Sequence, residues 1–214
     1  RRRHPARAAP GKVPGPAPGR RPPRPSGSAS PPQSPAGPSP LPPPTRRTLR
    51  GKSGPRAVRR LEAAMSRLGL TRVRPHLADA RTAGARWPGQ FSRVLLDAPC
   101  TGLGTIRRRP EIKWRRLPED LPRAAMLQQE LLEGVAGALA EGGLLVYSTC
   151  SLEPEETDAV IATFLALHPE FRADTSWQGL PPMSGLVDGD GHLRAWPHRH
   201  GTDGFFVACL RRTR

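Results

Sequence analysis

No acidic residue precedes Glu62, and this boundary divides the chain into two parts that differ in their ability to fold. Residues 1–60 carry 15 Lys and Arg, and 16 of the 28 prolines come before residue 46. Large apolar side chains are nearly absent from residues 1–55, so burial cannot offset the conformational entropy that ordering would cost. We therefore expect a disordered, Pro- and Arg-rich leader over residues 1–55 and a folded domain over residues 56–214.

More than one interpretation fits the leader. Its positive charge could bind RNA phosphates as a basic arm. The same composition is typical of solvated linkers, and out-of-frame translation of a GC-rich gene would also yield Arg, Pro, Ala, Gly and Ser. Because the chain begins with Arg1 rather than Met, we expect a fragment of a longer reading frame.

Composition excludes several classes of protein. No run of about 18 apolar residues exists, which argues against a membrane protein. Three cysteines in 214 residues do not make a disulfide scaffold, and they fit a reducing compartment such as the cytoplasm. The N-terminus lacks the apolar segment of a secretion signal. We expect no metal site, since the sequence contains no Cys-x-x-Cys or Cys-x-x-His pair.

From residue 56 onward, helical patterns alternate with short apolar runs. Apolar residues at helical spacing predict three helices, over residues 56–68, 124–139 and 153–167. Short apolar runs predict four strands, over residues 73–78, 91–97, 144–148 and 204–210. The run 91–97 is apolar enough to predict burial on both faces. This alternation indicates an open α/β sheet with helices on both faces.

Two cysteines follow the ends of neighbouring predicted strands. Cys100 comes shortly after the strand 91–97, and Cys150 shortly after the strand 144–148. Ligands of open α/β sheets bind beyond the carboxyl ends of the strands. An isolated cysteine there is most often a small buried hydrophobe. Two cysteines at one edge, with Cys150 just before a predicted helix N-terminus that would favour a thiolate, indicate covalent catalysis.

Four stretches of the folded part carry a recognisable pattern. They are FSRVLLDAPCTGLGTIRRRPEIKW (91–114), LAEGGLLVYSTCSLEPEE (139–156), LADAR (77–81) and DGFF (203–206). In that order they resemble motif IV, motif VI, motif III and the final strand of the RsmB/Sun (NOP-type) RNA cytosine-C5 methyltransferases. The resemblance covers about residues 56–214 and is nearest to the bacterial enzymes that modify 16S rRNA.

The resemblance implies a fold, a cofactor and a mechanism. The fold is a Rossmann-like class I methyltransferase sheet, and the cofactor is S-adenosylmethionine. By analogy, Cys150 is the nucleophile that adds to C6 of cytosine, and Cys100 assists loss of the C5 proton and release of the enzyme. Asp79 matches the position that contacts the cofactor's adenine. Asp97 is placed to hold the methionine end or the cytosine ring.

The resemblance also implies an RNA partner, small-subunit ribosomal RNA. Basic residues after motif IV could bind its phosphates beside the site, and they could equally form a solvated loop: Arg107, Arg108, Arg109 and Lys113. The target base must leave its stack to reach two thiols and a methyl donor. A single-stranded loop or an opened helix is therefore the expected substrate.

Two motifs of the family are not recognisable. Motif I, a DxCAAPGGKT loop, should precede residue 56, where Arg7–Lys12 matches it only in part. Motif II, a strand ending in an Asp for the ribose hydroxyls, is not found. We expect a sheet incomplete in its N-terminal half and weak binding of S-adenosylmethionine. Two functions stay open: an rRNA methyltransferase or a piece of one, and a non-catalytic basic RNA-binding protein on a degenerate methyltransferase scaffold.

Overall fold

A computed structural model describes the backbone of residues 49–50 and the whole of residues 54–178 and 185–213. These residues all belong to one compact unit, Leu41–Arg214. The expectations for residues 1–48 and 51–53 of the leader lie outside the described residues. In the described part, no helix is both long and apolar enough to span a membrane.

Six strands form one mixed sheet in the described part of the chain. They are β1 (Leu49–Arg50), β2 (Phe91–Asp97), β3 (Leu139–Thr149), β4 (Phe171–Ala173), β5 (Leu193–Ala195) and β6 (Phe205–Arg212). The order is β1-β2-β3-β6-β4, and β5 also pairs with β6. The first three strands are mutually parallel, whereas β6 runs antiparallel to β3, β4 and β5. Asp97 pairs with Ser148, so β2 and β3 end at the same edge.

The helices connect these strands and cover the core. They are α1 (Pro55–Arg67), α2 (Ala83–Arg86), α3 (Ile112–Arg115), α4 (Asp120–Ala136), α5 (Asp158–Leu167) and α6 (Pro197–His200). Short 3₁₀ turns occupy Ala80–Thr82, Leu103–Thr105 and Pro154–Glu156. Helix α4 buries Leu131, Leu132 and Val135, which recur at helical spacing, in a core shared with β2 and β3. The structure therefore confirms the predicted α/β class.

The central strands and helices differ from prediction in their bounds. The helix predicted over 124–139 ends at Ala136, because Leu139 pairs with Phe91 and so belongs to the sheet. The helix predicted over 153–167 is interrupted: a 3₁₀ turn comes first, and α5 starts at Asp158 after a non-helical Thr157. The predicted strand 144–148 is the second half of the longer β3.

Two predictions about the strands were wrong, one about the existence of a strand and one about the burial of β2. Residues 73–78 form no strand. Pro75 lies in the middle of this stretch and has no amide hydrogen to donate to a ladder. The prediction that the strand 91–97 is buried on both faces was also wrong. Val94 and Leu96 of β2 meet the core on one face, whereas Leu95 on the other face is 46% exposed.

Strand β1 lies within the segment that the sequence assigns to the leader. Its two residues, Leu49 and Arg50, pair in parallel with Leu96 and Asp97 at the end of β2. Helix α1 then begins at Pro55, one residue before the predicted domain boundary. The boundary at residue 56 itself stays a prediction.

Candidate active site

The two predicted thiols meet at the edge where β2 and β3 end. The Sγ atoms of Cys100 and Cys150 lie 3.1 Å apart, within hydrogen-bond range for sulfur, and both cysteines are free. Each side chain is partly buried. The parallel register of the two strands brings them together across fifty residues of sequence.

The contact between the thiols makes them chemically unequal. The hydrogen bond from Cys100 lowers the pKa of Cys150 to about 7, against the opposing effects of burial and of the carboxylates of Asp97 and Glu156. The same hydrogen bond, together with burial, raises the pKa of Cys100. Burial raises the pKa of Cys209 to about 11. Cys150 is therefore the thiol that ionises near neutral pH, and Cys100 keeps its proton.

The helix dipole is not the source of this ionisation. The sequence places Cys150 just before a helix, but α5 begins eight residues later, at Asp158. The turn after Cys150 is instead held by its own hydrogen bonds. Thr149 Oγ1 accepts from the amide of Ser151 at 3.0 Å, and the amide of Gly104 donates to the carbonyl of Cys150 at 3.0 Å. The neighbouring Cys100 thiol, rather than a helix dipole, therefore lowers the pKa of Cys150.

A buried carboxylate joins the two loops that carry the thiols. Glu156 is fully buried and accepts from the amide of Thr101 at 2.8 Å, from its hydroxyl at 2.5 Å and from Gln128 Nε2 at 3.0 Å. Sequence reasoning missed this role, because three acidic residues at 153–156 are typical of an exposed helix start. The signal that could have pointed to it is Thr101, a hydrogen-bonding residue directly after Cys100.

An open cavity of about 750 Å³ lies at this edge, a volume typical of small-molecule sites. Both thiols and Asp97 line it, and Arg116 contributes to its wall while donating from Nε to the carbonyl of Thr101 at 2.7 Å. Further arginines outnumber the second acidic residue of the lining, Glu111, and leave the cavity with an excess of basic residues: Arg108, Arg109 and Arg115. The cavity can therefore receive an anionic or phosphate-bearing ligand.

Asp79 is placed differently from Asp97. It is not among the residues that line the cavity. Its carboxylate accepts from the backbone amide of Arg81 at 3.0 Å and from the Arg81 guanidinium, which holds the pKa of this carboxyl below its usual range. Of the two predicted cofactor-binding residues, the structure therefore brings one to the thiols.

The four predicted RNA-binding residues are also spread over different surroundings. Arg109 lines the cavity with the thiols, and Arg107 lines a second cavity. Arg108 Nε donates to Asp203 Oδ2 at 2.6 Å, which ties this loop to the start of β6. Lys113 lies in α3 with its Nζ 5.5 Å from the ring centroid of Trp114. In the described ranges, no group of three or more His, Cys, Asp or Glu could hold a metal ion.

A Rossmann-like sheet with a thiol pair at its carboxyl edge defines an α/β domain of the methyltransferase class. The crystal structure of PH0851 matches 78% of this chain and 37% of its own at TM-score 0.68 and 38% identity. NSun6 from Pyrococcus horikoshii, solved with SFG, matches 75% of this chain and 40% of its own at TM-score 0.64 and 29% identity.

The chain belongs to the 16S rRNA methyltransferase RsmB/F family, whose sequence profile matches residues 50–211. One relative, the ribosomal RNA small subunit methyltransferase B of Thermus thermophilus, is 50% identical over 125 residues, which are 58% of this chain and 30% of that protein. The chain spans about a third of the length of the curated relatives it matches. The family predicted from the sequence motifs is thereby confirmed.

Proposed function

We propose that the protein transfers a methyl group from S-adenosylmethionine to C5 of a cytosine in small-subunit ribosomal RNA, through a covalent adduct with Cys150. The observation that carries the proposal is the thiol pair, whose Sγ atoms lie 3.1 Å apart at the edge where β2 and β3 end. The hydrogen bond between them lowers the pKa of Cys150 and raises the pKa of Cys100, which supports Cys150 as the nucleophile. Family membership supports the class of substrate.

The chemistry explains why two thiols are needed. Carbon 5 of cytosine is a weak nucleophile, and S-adenosylmethionine supplies an electrophilic methyl group. The Cys150 thiolate would add to C6, forming an S–C6 bond and moving an electron pair onto C5. C5 would then take the methyl group as the methyl–sulfur bond breaks, and S-adenosylhomocysteine would leave. The C5 proton would pass to a water molecule that Cys100 holds by a hydrogen bond, and the electron pair of the C5–H bond would restore the C5=C6 double bond. The S–C6 bond breaks and Cys150 leaves as a thiolate.

The described residues fit one end of the cofactor. Asp97 lines the cavity of about 750 Å³ and offers a carboxylate to the ammonium of the methionine end, or to the exocyclic amine of cytosine. The structure of the relative NSun6 with SFG, an S-adenosylmethionine analogue, supports this choice of cofactor. Asp79 matches the position that contacts the adenine. To bind it, the Asp79 carboxylate would have to release its hydrogen bond from Arg81 and accept one from the cofactor instead.

The basic loop after β2 is proposed to bind the RNA backbone. Arg107, Arg108, Arg109 and Lys113 are all exposed and lie within fourteen residues after Cys100. Phosphate contacts of this kind fix the position of a strand without reading its sequence. They would hold the target nucleotide while its base leaves the stack and enters the site.

Adduct formation tests the proposal directly. The full chain is mixed with a fragment of small-subunit rRNA and millimolar S-adenosylmethionine, and the products are separated on a denaturing gel. Cys100→Ala should retain RNA covalently, because elimination stalls, whereas Cys150→Ala should retain none. Cys209→Ala is the matched control and should behave like the unaltered chain. An adduct in Cys150→Ala would reverse the two roles, and no adduct or methyl transfer in any variant would favour a non-catalytic RNA-binding protein.

A further inference from the structure

A second cavity, of about 740 Å³, borders the two thiol-bearing loops and shares no lining residue with the first. Its walls come from the loop after β2, from the turn after Cys150 and from the N-terminal end of α6. The apolar part is formed by Leu103, Ile106, Leu152, Trp196 and Pro197. Three polar side chains complete it: Arg107, Glu153 and His198.

The walls of this second cavity are fixed to the nucleophile through the backbone. The amide of Gly204 donates to the carbonyl of Gly104 at 2.7 Å, and the amide of Gly104 donates to the carbonyl of Cys150 at 3.0 Å. The backbones approach so closely that a Cβ on Gly104 would lie 2.4 Å from the Gly204 carbonyl oxygen. Leu152 and Glu153, which line the cavity, follow Cys150 by two and three residues. These backbone hydrogen bonds therefore hold the cavity at a fixed distance from Cys150.

Trp196 is held in place by its own local structure. Its backbone amide donates to His200 Nδ1 at 2.8 Å, which closes the single turn of α6. Gly201 ends the turn with φ of 66°, in the left-handed region that favours glycine. The rings of Trp196 and His198 lie 5.9 Å apart, tilted by 56°, and both line the cavity. The cavity therefore contains an aromatic wall whose backbone is fixed by its own hydrogen bonds.

We propose that this second cavity binds the base of a nucleotide adjacent to the target cytosine, stacked on Trp196, a subsite that rests on the proposed function. An apolar pocket with an aromatic ring is what a nucleobase needs for stacking. Glu153 and His198 offer hydrogen-bonding groups to the base edge, and the exposed Arg107 offers a cation to its phosphate. Leu152 and Glu153 lie within three residues of the nucleophile, as a neighbouring nucleotide requires.

A binding cycle between protein and RNA tests the subsite. The probe is a fluorescein-labelled 12-nucleotide single-stranded RNA with one central cytidine, measured by anisotropy with the full chain at high salt. Trp196→Ala should weaken binding about 10-fold, as the loss of one stacking contact predicts. An abasic residue beside the cytidine should cause the same loss, and combining both changes should cause little more. Trp196→Phe should restore most of the affinity.

Trp114→Ala is the matched control, because Trp114 is 82% exposed and lies outside the cavity. The loss of RNA affinity caused by Trp114→Ala should add to the loss caused by the abasic residue. The subsite would be overturned if Trp196→Ala left the affinity for RNA unchanged, or if its loss of affinity simply added to that of the abasic residue. Either result is expected if a protein segment, rather than a base, fills the cavity.

Photocrosslinking of the unaltered chain avoids any effect of substitution on folding. A 5-iodouridine beside the cytidine should crosslink to the peptide that contains Trp196, and a crosslink elsewhere would contradict the proposal. The adduct assay keeps the two proposals separable. If Trp196→Ala and the abasic residue lower the RNA affinity non-additively but no covalent adduct forms, the subsite is supported and methyl transfer is rejected. If an adduct forms and the two losses are additive, the subsite alone is rejected.

Discussion

Glu156 accepts two hydrogen bonds from Thr101, one from its amide at 2.8 Å and one from its hydroxyl at 2.5 Å. Thr101 directly follows Cys100, and Glu156 lies six residues after Cys150. The pair therefore fastens one thiol-bearing loop to the other at a fully buried position.

Removal of this carboxylate is predicted to cost stability. Glu156→Ala would leave the Thr101 amide and the Thr101 hydroxyl without their acceptor in the core, and Gln128 Nε2 with the carbonyl of Pro99 as its remaining acceptor. Each buried polar group left unsatisfied costs about 1–3 kcal/mol, so we expect a loss of about 2 kcal/mol or more. Urea unfolding measures it. The exposed neighbour variant Glu155→Ala should change the free energy of unfolding by less than about 0.5 kcal/mol, and equal effects would contradict the assignment.

The thiol pair predicts a specific pH profile for alkylation. The rate at which iodoacetamide modifies Cys150, followed by mass spectrometry, should reach half its maximum near the pKa of about 7. Cys100→Ala removes the hydrogen bond that lowers this pKa, which should rise to about 8.5 or higher. The thiolate fraction at pH 7 would then fall from about half to about 3% or less.

Cys100→Ser is the matched variant for this measurement, because its hydroxyl still donates a hydrogen bond. It should keep the pKa of Cys150 close to that of the unaltered chain. An unchanged profile in Cys100→Ala would show that the lowered pKa has another source.

The basic loop predicts a salt dependence of RNA binding. Alanine at Arg107, Arg109 or Lys113 should each lower the slope of log affinity against log salt by about 0.7, the value for one phosphate of a single strand. Arg108→Ala should lower it less, because Asp203 already neutralises this side chain. Arg172→Ala on β4, at the opposite end of the strand order, should leave the slope unchanged.

Binding of S-adenosylmethionine is predicted to be weak. The glycine-rich loop and the ribose-binding acid of the family are not recognisable before residue 56, and of the two predicted acidic residues only Asp97 lines the cavity. Each missing charge-assisted hydrogen bond costs about 1.5–3 kcal/mol, so two or three would move a micromolar ligand to about millimolar. Calorimetric titration measures the constant. Micromolar binding by the unaltered chain would contradict this prediction.

Local sequence patterns determined much of this domain. The apolar run of β2 is bounded as predicted, at Phe91 and Asp97, because the preference for a strand depends on neighbours within a few residues. The motif matches predicted the family, and the apolar runs placed both cysteines after neighbouring strands, which the structure shows to be parallel. Since the carboxyl ends of parallel strands share an edge, the sequence also predicted that the two thiols would meet.

Tertiary structure alone decided the features that depend on distant partners. Leu139 joined the sheet rather than the helix because Phe91, 48 residues earlier, supplied a strand to pair with. The burial of Glu156 depends on Thr101, and the ion pair of Arg108 on Asp203, 95 residues away. Such contacts follow from the register of strands and the packing of loops. No local sequence pattern predicts these contacts, because the same acidic or basic residue is just as compatible with an exposed turn.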